Sequence, residues 1–300
     1  GRNLLDIFPE FANNVKDRVI NSVNQIEQTH DVYFFALPHG KSIQYAPKLL
    51  NKNKKVIDLG ADFRLDDEKS FADTYQLEHT APEYLSSKIY GLTELHETYN
   101  GTNLIANPGC YPTAALLSTI PFAKNIGEKV ETISTVSYSG LSGAGKKADT
   151  SLLFSENYNS VRAYSVGTHR HQVEIKQELD KYIDDTNYSL ATHLLPVVSG
   201  IYSTSIIHLN GSVSQSEVDD ILQNEYLQST FIRIRETPPE LKWVVGTNYC
   251  DINVKALDNK IIVTACIDNL IKGASGQAVQ NMNKLYGWGE NLGIQNNKMD

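Results

Sequence analysis

The 300-residue sequence is poor in cysteine and lacks both long apolar runs and long basic runs. Three cysteines are too few, and odd in number, for a disulfide framework, so we expect a reducing, cytoplasmic setting. No apolar stretch approaches the ~20 residues of a membrane helix. The net charge of −8 argues against nucleic acid as the main partner, whereas small basic clusters remain available for an anionic small molecule.

A further absence concerns nucleotide binding. A dinucleotide-binding α/β sheet normally opens with a strand and a G-x-G-x-x-G turn, but this sequence opens with GRNLLDIFPEF. Either the first domain binds no dinucleotide, or the segment that carries the turn is missing from this chain. With 41% hydrophobic residues the chain can still bury a sizeable core, and its length favours one large or two medium domains.

The first part of the chain has the pattern of an open parallel sheet. Three short apolar runs predict buried strands at 31–38, 54–63 and 103–109, with a helix at 43–50 after the first. Strands that alternate with helices indicate a mostly parallel α/β sheet whose ligand crevice lies beyond the carboxyl ends of the strands. His39, Gly60 and Cys110 fall at such ends.

After about residue 124 the pattern changes to longer strands rich in β-branched residues. These runs are 131–140, 190–209, 243–257 and 260–270, with helices predicted at 171–183, 214–227 and 272–288. The last helix opens with glycines. We therefore predict an α/β fold with two parts: a Rossmann-like, mostly parallel sheet domain, and an α+β domain with a mixed or antiparallel sheet.

The stretch NPGCYPTAALL, residues 107–117, places a thiol at the start of a predicted helix. Pro112 suits a first helical turn, and the free N–H groups at Cys110 favour an anion. In this setting a cysteine pKa can fall to roughly 3.5–7.5, which favours a nucleophile. The alternative is a small buried residue at a tight turn. Cys250 and Cys266 lie within predicted strands, where we expect them to serve packing.

A candidate base for such a nucleophile lies in GTHRHQVEI, residues 167–175. His169 and His171 flank Arg170 immediately before a predicted helix. Either histidine suits acid–base work; the alternative is that one caps the helix while the other is solvated. The H-x-H pattern is also compatible with a metal site. No cysteine or carboxylate cluster in the sequence completes a ligand set, so we expect no metal.

Two glycine-rich segments are candidates for binding anions or a cofactor. SYSGLSGAGKKA, residues 137–148, combines small residues with two lysines and can offer N–H groups and positive charge to a phosphate or carboxylate. It lacks the P-loop order, and the alternative is a flexible surface turn. In KGASGQAV, residues 272–279, Gly273 and Gly276 flank the start of a predicted helix. The alternative is that these glycines only form the turn between a strand and this helix.

Together these segments resemble one family. NPGCYPTA, SGLSGAGKKA, THRHQVEI, IDLGADFRL and DNLIKGASGQAVQNMN are similar to N-acetyl-γ-glutamyl-phosphate reductase, and the resemblance runs from about residue 1 to the C-terminus. Its relatives include aspartate-semialdehyde dehydrogenase and glyceraldehyde-3-phosphate dehydrogenase. In that family a strand and a glycine-rich turn precede the point where this sequence begins. The resemblance therefore favours a chain that lacks this segment.

The resemblance implies a reaction and roles for particular residues. The family reduces N-acetylglutamyl 5-phosphate to N-acetylglutamate 5-semialdehyde with NADPH, in arginine biosynthesis. Cys110 would form the thioester, and His169 would pair with the thiolate and exchange the proton, or His171 would do so instead. Candidates for the substrate's phosphate and carboxylate are Arg170, Ser139, Ser142, Lys146 and Lys147. The implied cofactor surface comprises Pro38, His39, Gly40, Gly60, Asn107, Pro108, Gly273, Gly276 and Gln277.

The resemblance also implies an organisation and leaves rival functions open. We expect an NADP-binding domain from residues 1–108 and 273–300, a catalytic, substrate and oligomerisation domain from residues 109–272, and a homo-oligomer, a dimer or a tetramer. The nearest rival is an aspartate-semialdehyde dehydrogenase or a sugar-aldehyde enzyme. A cysteine hydrolase without cofactor is a different class, and a folded chain that lacks the dinucleotide turn and activity is a third possibility.

Overall fold

The computed structural model describes residues 2–12, 15–16, 18–22, 29–96, 98–99, 101–145 and 149–294. Its strands are β1 Arg2–Asn3, β2 Val19–Ile20, β3 Val32–Phe35, β4 Lys55–Asp58, β5 Ile89–Tyr90, β6 Leu104–Ala106, β7 Val130–Gly140, β8 Arg162–Tyr164, β9 Tyr188–Leu195, β10 Ile201–Leu209, β11 Ile232–Ile234, β12 Cys250–Leu257 and β13 Lys260–Ile267.

The α-helices are α1 Leu4–Ile7, α2 Ser42–Leu50, α3 Glu68–Tyr75, α4 Cys110–Ile126, α5 Phe154–Asn157, α6 Arg170–Leu179, α7 Gln215–Tyr226 and α8 Gly276–Leu285. Two short turns matter for the site: a 3₁₀ turn at Leu141–Ala144 and a wide π turn at Ile271–Ser275 that leads into α8. No helix in the described part of the chain has both the length and the apolar character needed to cross a membrane.

A four-stranded parallel sheet forms the first layer, in the order β3-β4-β6-β5. Successive side chains of a strand point to opposite faces, and both faces of this sheet are covered. Val56 packs with α2 residues such as Leu49 on one face, and Ile57 packs with Ala278 of α8 on the other. Because all four strands run in one direction, their carboxyl ends meet along one edge.

A seven-stranded mixed sheet forms the second layer, in the order β11-β12-β13-β10-β7-β9-β8. Strand β7 pairs antiparallel with β10 and parallel with β9. Burial alternates along β7 and β10 because one face lies under helices. Small hydroxyl residues line part of this face, and the Ser137 and Ser203 hydroxyls are 2.7 Å apart. These small side chains leave room for α4, which packs across the sheet.

Helix α4 is the central element, and it is apolar nearly all round. Its buried residues include Leu116, Leu117 and Ile120, which join the largest core cluster. Each such side chain contributes about 1.5–3 kcal/mol when it is fully buried. Because the rest of α4 is held in this core, its first turn at Cys110 has a fixed position at the edge of the two sheets.

The predicted fold class is confirmed, and the differences are local. Within the apolar run 54–63, the strand β4 ends at Asp58. The chain then leaves the sheet, and the Asp62 carboxylate accepts hydrogen bonds from the N–H groups of Gly40 and Ile43 near the start of α2. The run 190–209 forms β9 and β10, which do not pair with each other because β7 lies between them. Cys250 and Cys266 are buried free thiols within strands, as predicted.

Candidate active site

A cleft of about 610 Å³ lies at the carboxyl ends of β3, β4 and β6, beside the connections of the seven-stranded sheet. Both α4 and α6 begin in its wall, so two helix N-termini face the same space. Such termini favour an anion. Of the residues predicted for the site, the lining contains Cys110, His169, Arg170, His171, Ser142, His39, Pro108 and Gly273.

Two glycines let the chain approach Cys110 closely. A Cβ on Gly273 would lie 2.8 Å from Cβ of Cys110. A Cβ on Gly109 would lie 2.6 Å from Nε2 of His171 and 2.8 Å from Nη1 of Arg64. Contacts this short do not occur between real side chains, so only glycine allows this arrangement. The imidazole of His171 is therefore packed on the residue immediately before Cys110.

A buried carboxylate holds the start of α4 in place. Oε1 of Glu174 accepts a hydrogen bond from the Gly109 N–H at 2.8 Å and another from the Tyr90 hydroxyl at 2.7 Å. Its other oxygen lies 3.3 Å from Nη1 of Arg64, and the Glu174 side chain is fully buried. Arg64 also donates to the carbonyl oxygens of Asn107 and Leu59. Glu174 and Arg64 thus join β4, α4 and α6 around the cleft.

The two histidines occupy different positions. His169 is the N-cap of α6, and its Nδ1 accepts the N–H of His171 at 3.2 Å. This bears out the capping role for one histidine. His171 is half-buried rather than fully solvated, which corrects the other part of that expectation. Its Nδ1 is buried and has no hydrogen-bond partner among the described residues. His171 is therefore the histidine beside Gly109 with a ring nitrogen not committed to the helix.

The electrostatics of the cleft favour neutral groups. Burial raises the pKa of Cys110 to about 11, and Arg64 and the Tyr111 N–H only partly offset this rise. Burial and the nearby Arg170 charge lower the pKa of His169 to about 4, and burial lowers that of His171 well below its usual value. The sequence-based expectation of a lowered cysteine pKa is wrong, because the desolvation of the Cys110 thiol outweighs the effects of the Tyr111 N–H and the Arg64 charge.

The loop after β7 forms another part of the wall. The Ser142 hydroxyl accepts a hydrogen bond from the Asn269 amide at 3.1 Å, and both residues line the cleft. Ser139, predicted to bind substrate, is buried beneath this loop and donates to the Gly140 carbonyl oxygen, so it does not line the cleft. Lys146 and Lys147, also predicted for the substrate, lie outside the described residues.

The residues predicted for the cofactor divide into two groups. Those in the cleft lining are His39, Pro108 and Gly273; those outside the lining are Pro38, Gly40, Gly60, Asn107, Gly276 and Gln277. Among the second group, Gln277 donates to the Gly91 carbonyl oxygen and the Thr93 hydroxyl, and Asn107 accepts from Asn281. Their amides are already used within the protein, and their contacts with a cofactor remain predictions.

Arg64, Glu174 and Tyr75 belong to the site but were not predicted from the sequence. Arg64 and Glu174 lie within the IDLGADFRL and THRHQVEI motifs, and Tyr75 lies outside every motif. None has a pattern of its own, although Glu174 carried one usable signal. It stands next to Ile175 on the face of α6 that turns to the core, and a charged residue on such a face needs a partner. In the part of the chain that the structure describes, no three His, Cys, Asp or Glu side chains are grouped to hold a metal ion.

The fold and the cysteine–histidine cleft define a protein of the semialdehyde dehydrogenase class. Residues 1–100 match the family model described as semialdehyde dehydrogenase, NAD binding domain, and residues 110–269 match the dimerisation domain model of the same class. A nicotinamide dinucleotide is therefore the cofactor class. Solved structures of aspartate semialdehyde dehydrogenase agree in fold: the Vibrio cholerae enzyme II has a TM-score of 0.70 at 17% identity, over 91% of this chain and 85% of its own.

Curated relatives narrow the assignment. N-acetyl-gamma-glutamyl-phosphate reductase of Pelotomaculum thermopropionicum is 41% identical over 276 residues, covering 90% of this chain and 80% of the relative. The Caldicellulosiruptor saccharolyticus protein of the same name is 43% identical, covering 88% and 78%. That of Dehalococcoides mccartyi is 40% identical, covering 98% and 86%. The chain belongs to the N-acetyl-gamma-glutamyl-phosphate reductase family.

Proposed function

We propose that this protein reduces N-acetyl-L-glutamyl 5-phosphate to N-acetyl-L-glutamate 5-semialdehyde and phosphate, with NADPH, as a step of arginine biosynthesis. The observation that carries the proposal is the placement of Cys110 at the first turn of α4, with His171 packed on Gly109. Family membership supplies the substrate, since the relatives bear the name of this reaction. Cys110, His171 and His169 are the proposed catalytic set.

The first step is attack of Cys110 on the acyl phosphate. Because the pKa of the Cys110 thiol is raised and that of His171 is lowered, the resting pair is a neutral thiol and a neutral imidazole. His171 then acts as a general base that takes the thiol proton as the S–C bond forms, rather than as a preformed ion-pair partner. His169 is the less suited of the two histidines because its Nδ1 caps α6. Cleavage of the C–O bond releases phosphate and leaves a thioester on Cys110.

The N–H groups at the start of α4 stabilise the charge that develops on the acyl oxygen. Cys110 and Tyr111 occupy the first turn, where N–H groups have no partner within the helix. Arg170 and Ser142 line the same cleft and are proposed to hold the departing phosphate or the substrate carboxylate. As the thioester is reduced, the protonated His171 would donate its proton to the oxygen of the thiohemiacetal. It would take that proton back as the C–S bond breaks to release the aldehyde, and return it to the Cys110 sulfur.

The residues present fit the nicotinamide end of the cofactor. His39 and Pro108 follow β3 and β6 at the carboxyl edge of the parallel sheet, where dinucleotides bind in such folds. Gly273 lines the same cleft and packs directly against Cys110, so the turn before α8 and the thiol form adjoining parts of its wall. The bound cofactor supplies the hydride that reduces the thioester. NADPH rather than NADH, and contacts at Gly40, Gly60 and Gly276, are part of the proposal.

We also propose a homo-oligomer in the cytoplasm. The matched model over residues 110–269 is described as a dimerisation domain. The three cysteines are free thiols, which suits a reducing compartment. Light scattering after size-exclusion chromatography tests the oligomer, and a monomer at micromolar concentration would remove that part of the proposal.

The test of function is phosphate-dependent NADP reduction with N-acetylglutamate semialdehyde, followed at 340 nm. It is run on this chain, on a version extended at its N-terminus with the corresponding segment of a relative, and on Cys110→Ser in the active background. We expect activity that Cys110→Ser abolishes and that His171→Gln lowers by about 100-fold to 10,000-fold. His169→Gln is expected to lower it less.

Each alternative has its own outcome in this assay. Turnover of aspartate semialdehyde in place of the N-acetylated aldehyde would identify the protein as an aspartate-semialdehyde dehydrogenase. Hydrolysis of an ester without NADP would indicate a cysteine hydrolase. No turnover of any of these substrates, by this chain or by the N-terminally extended version, would overturn the proposal.

A further inference from the structure

The cleft contains an arginine in an electrostatically unfavourable place. Arg170 is the first residue of α6, at the positive end of that helix, where a cation is disfavoured. It lines the cleft, and among the described residues it has no carboxylate within ion-pair distance. We propose that Tyr75 is a positioning residue that holds the Arg170 guanidinium ready for an oxyanion of the substrate. The proposal rests on the proposed function.

The other arginine of the cleft is already committed. Nε and Nη2 of Arg64 donate to the carbonyl oxygens of Asn107 and Leu59 at 2.8 and 2.7 Å. Its Nη1 faces Glu174 at 3.3 Å. Arg64 therefore serves the protein's own framework. Arg170 is the described arginine of the cleft whose donors are left for a ligand.

Tyr75 is the group that contacts Arg170. The guanidinium carbon lies 5.3 Å from the centroid of the Tyr75 ring, within the range of a cation–π interaction. The ring is itself fixed by Phe71, stacked at 5.1 Å, and by His39 at 5.0 Å. Tyr75 ends α3, so it connects a helix of the first layer to the first residue of α6. Its face attracts the cation without neutralising it, which leaves the full charge for an anion.

The field of Arg170 extends across the cleft. After burial, its charge is the next cause of the lowered pKa values of His39 and His169, whereas for His171 it comes behind burial, His169 and Arg64. Tyr75 and His39 also line the cleft. A positively charged side chain that helps to lower the pKa of neighbouring imidazoles, and that has no anionic partner within the described part of the chain, marks the place where a phosphate or a carboxylate of the substrate binds.

The central experiment compares Tyr75→Leu with Tyr75→Phe. Loss of the ring is expected to raise KM about threefold to thirtyfold with kcat within twofold, whereas phenylalanine keeps the ring and the wild-type KM. KM is measured separately for inorganic phosphate and for N-acetylglutamate semialdehyde. A rise for phosphate alone assigns Arg170 to the phosphoryl group, and a rise for the aldehyde alone assigns it to the carboxylate.

The same variants are made in an Arg170→Met background. If Tyr75 acts through Arg170, Tyr75→Leu adds no further rise in KM there. An equal rise in both backgrounds, or a Tyr75→Phe variant as impaired as Tyr75→Leu, would overturn the proposal. Tyr45→Leu is the matched control, since Lys48 lies 5.8 Å from that ring outside the cleft; its KM should equal that of the wild type.

A second readout does not depend on turnover. Alkylation of Cys110 by iodoacetamide is measured with increasing phosphate or N-acetylglutamate, because an anion in the cleft shields the thiol. We expect one of these anions to protect the wild type and Tyr75→Phe at the same concentration, and Tyr75→Leu only at a higher one. Protection of Cys110 by an anion in a protein without reductase activity would overturn the proposed reaction but support this inference. No protection, or equal protection of all three proteins, would overturn it.

Discussion

Gly273, in the turn before the last helix, lies directly against the side chain of Cys110. A Cβ at position 273 would stand 2.8 Å from Cβ and 3.2 Å from Cα of Cys110. The first turn of α4 is fixed by the core, so a side chain at 273 could be accepted only if the cysteine moved.

A methyl group at position 273 should therefore impair the reaction. We expect Gly273→Ala to lower kcat on the order of 100-fold, because a displacement of about 1 Å at a reacting group has this effect, and to destabilise the fold by about 1–3 kcal/mol. Steady-state kinetics and thermal unfolding measure the two effects. Gly289→Ala is the control, since its nearest contact would be Asn291 at 3.5 Å; a Gly273→Ala enzyme with full kcat would contradict the packing.

Loss of the Glu174 charge should leave Arg64 uncompensated. Since both side chains are buried, we expect Glu174→Gln to lower the free energy of unfolding by about 3–5 kcal/mol. Urea denaturation measures this change. The control is Glu240→Gln, which breaks the exposed pair with Lys242 and should change stability by less than about 1 kcal/mol. Similar small effects for both variants would show that Glu174 is not a framework charge.

The reactivity of the resting thiol should follow its raised pKa. With a pKa of about 11, the thiolate fraction of Cys110 rises about tenfold per pH unit between pH 7 and pH 9. We expect the rate of alkylation by iodoacetamide to rise in the same proportion, without a plateau, when peptide mass spectrometry follows Cys110. A plateau below pH 8 would mean that the free enzyme already holds a thiolate.

Asp58 should make stability depend on pH. Burial raises its pKa to about 7 although Ser42 donates to it, so the folded state binds the proton more tightly than the unfolded chain. Its contribution is therefore fully present below about pH 4 and is lost as the pH rises to about 7, by at most about 4 kcal/mol.

The Asp58→Asn variant should remove that loss, so its stability relative to wild type improves from pH 4 to pH 7. Asp67→Asn is the contrasting control: hydrogen bonds from Ser70 lower the pKa of this cap, so its contribution is lost as the pH falls. Chemical denaturation at each pH measures both. A constant difference between Asp58→Asn and wild type would contradict the assignment.

The sequence predicted the structural features that depend on residues close to one another in the chain. The start of α4 at Cys110 follows from a glycine and a proline within a few residues, and the parallel strands follow from short apolar runs. These features need no knowledge of the rest of the molecule.

Features that depend on distant residues were not predictable. Burial of the α4 terminus reverses the direction expected for the Cys110 pKa, and the pairing of Glu174 with Arg64 joins residues far apart in sequence. The hydrogen bonds of the Gln277 amide to the Gly91 carbonyl oxygen and the Thr93 hydroxyl also join distant parts of the chain, while its contact with a cofactor stays a prediction. A buried amide that serves the fold and one that serves a ligand have the same local pattern.

The packing of α8 on the first sheet has a consequence for synthesis on the ribosome. Ile57 and Ile105 are covered by Ala278, and the buried Lys272 pairs with Glu94 at 2.5 Å. While a nascent chain is still shorter than 273 residues, α8 does not yet cover one face of the parallel sheet, and Cys110 has no Gly273 beside it. The Cys110 thiol therefore gains its contact with Gly273 only after roughly 160 further residues have been synthesised.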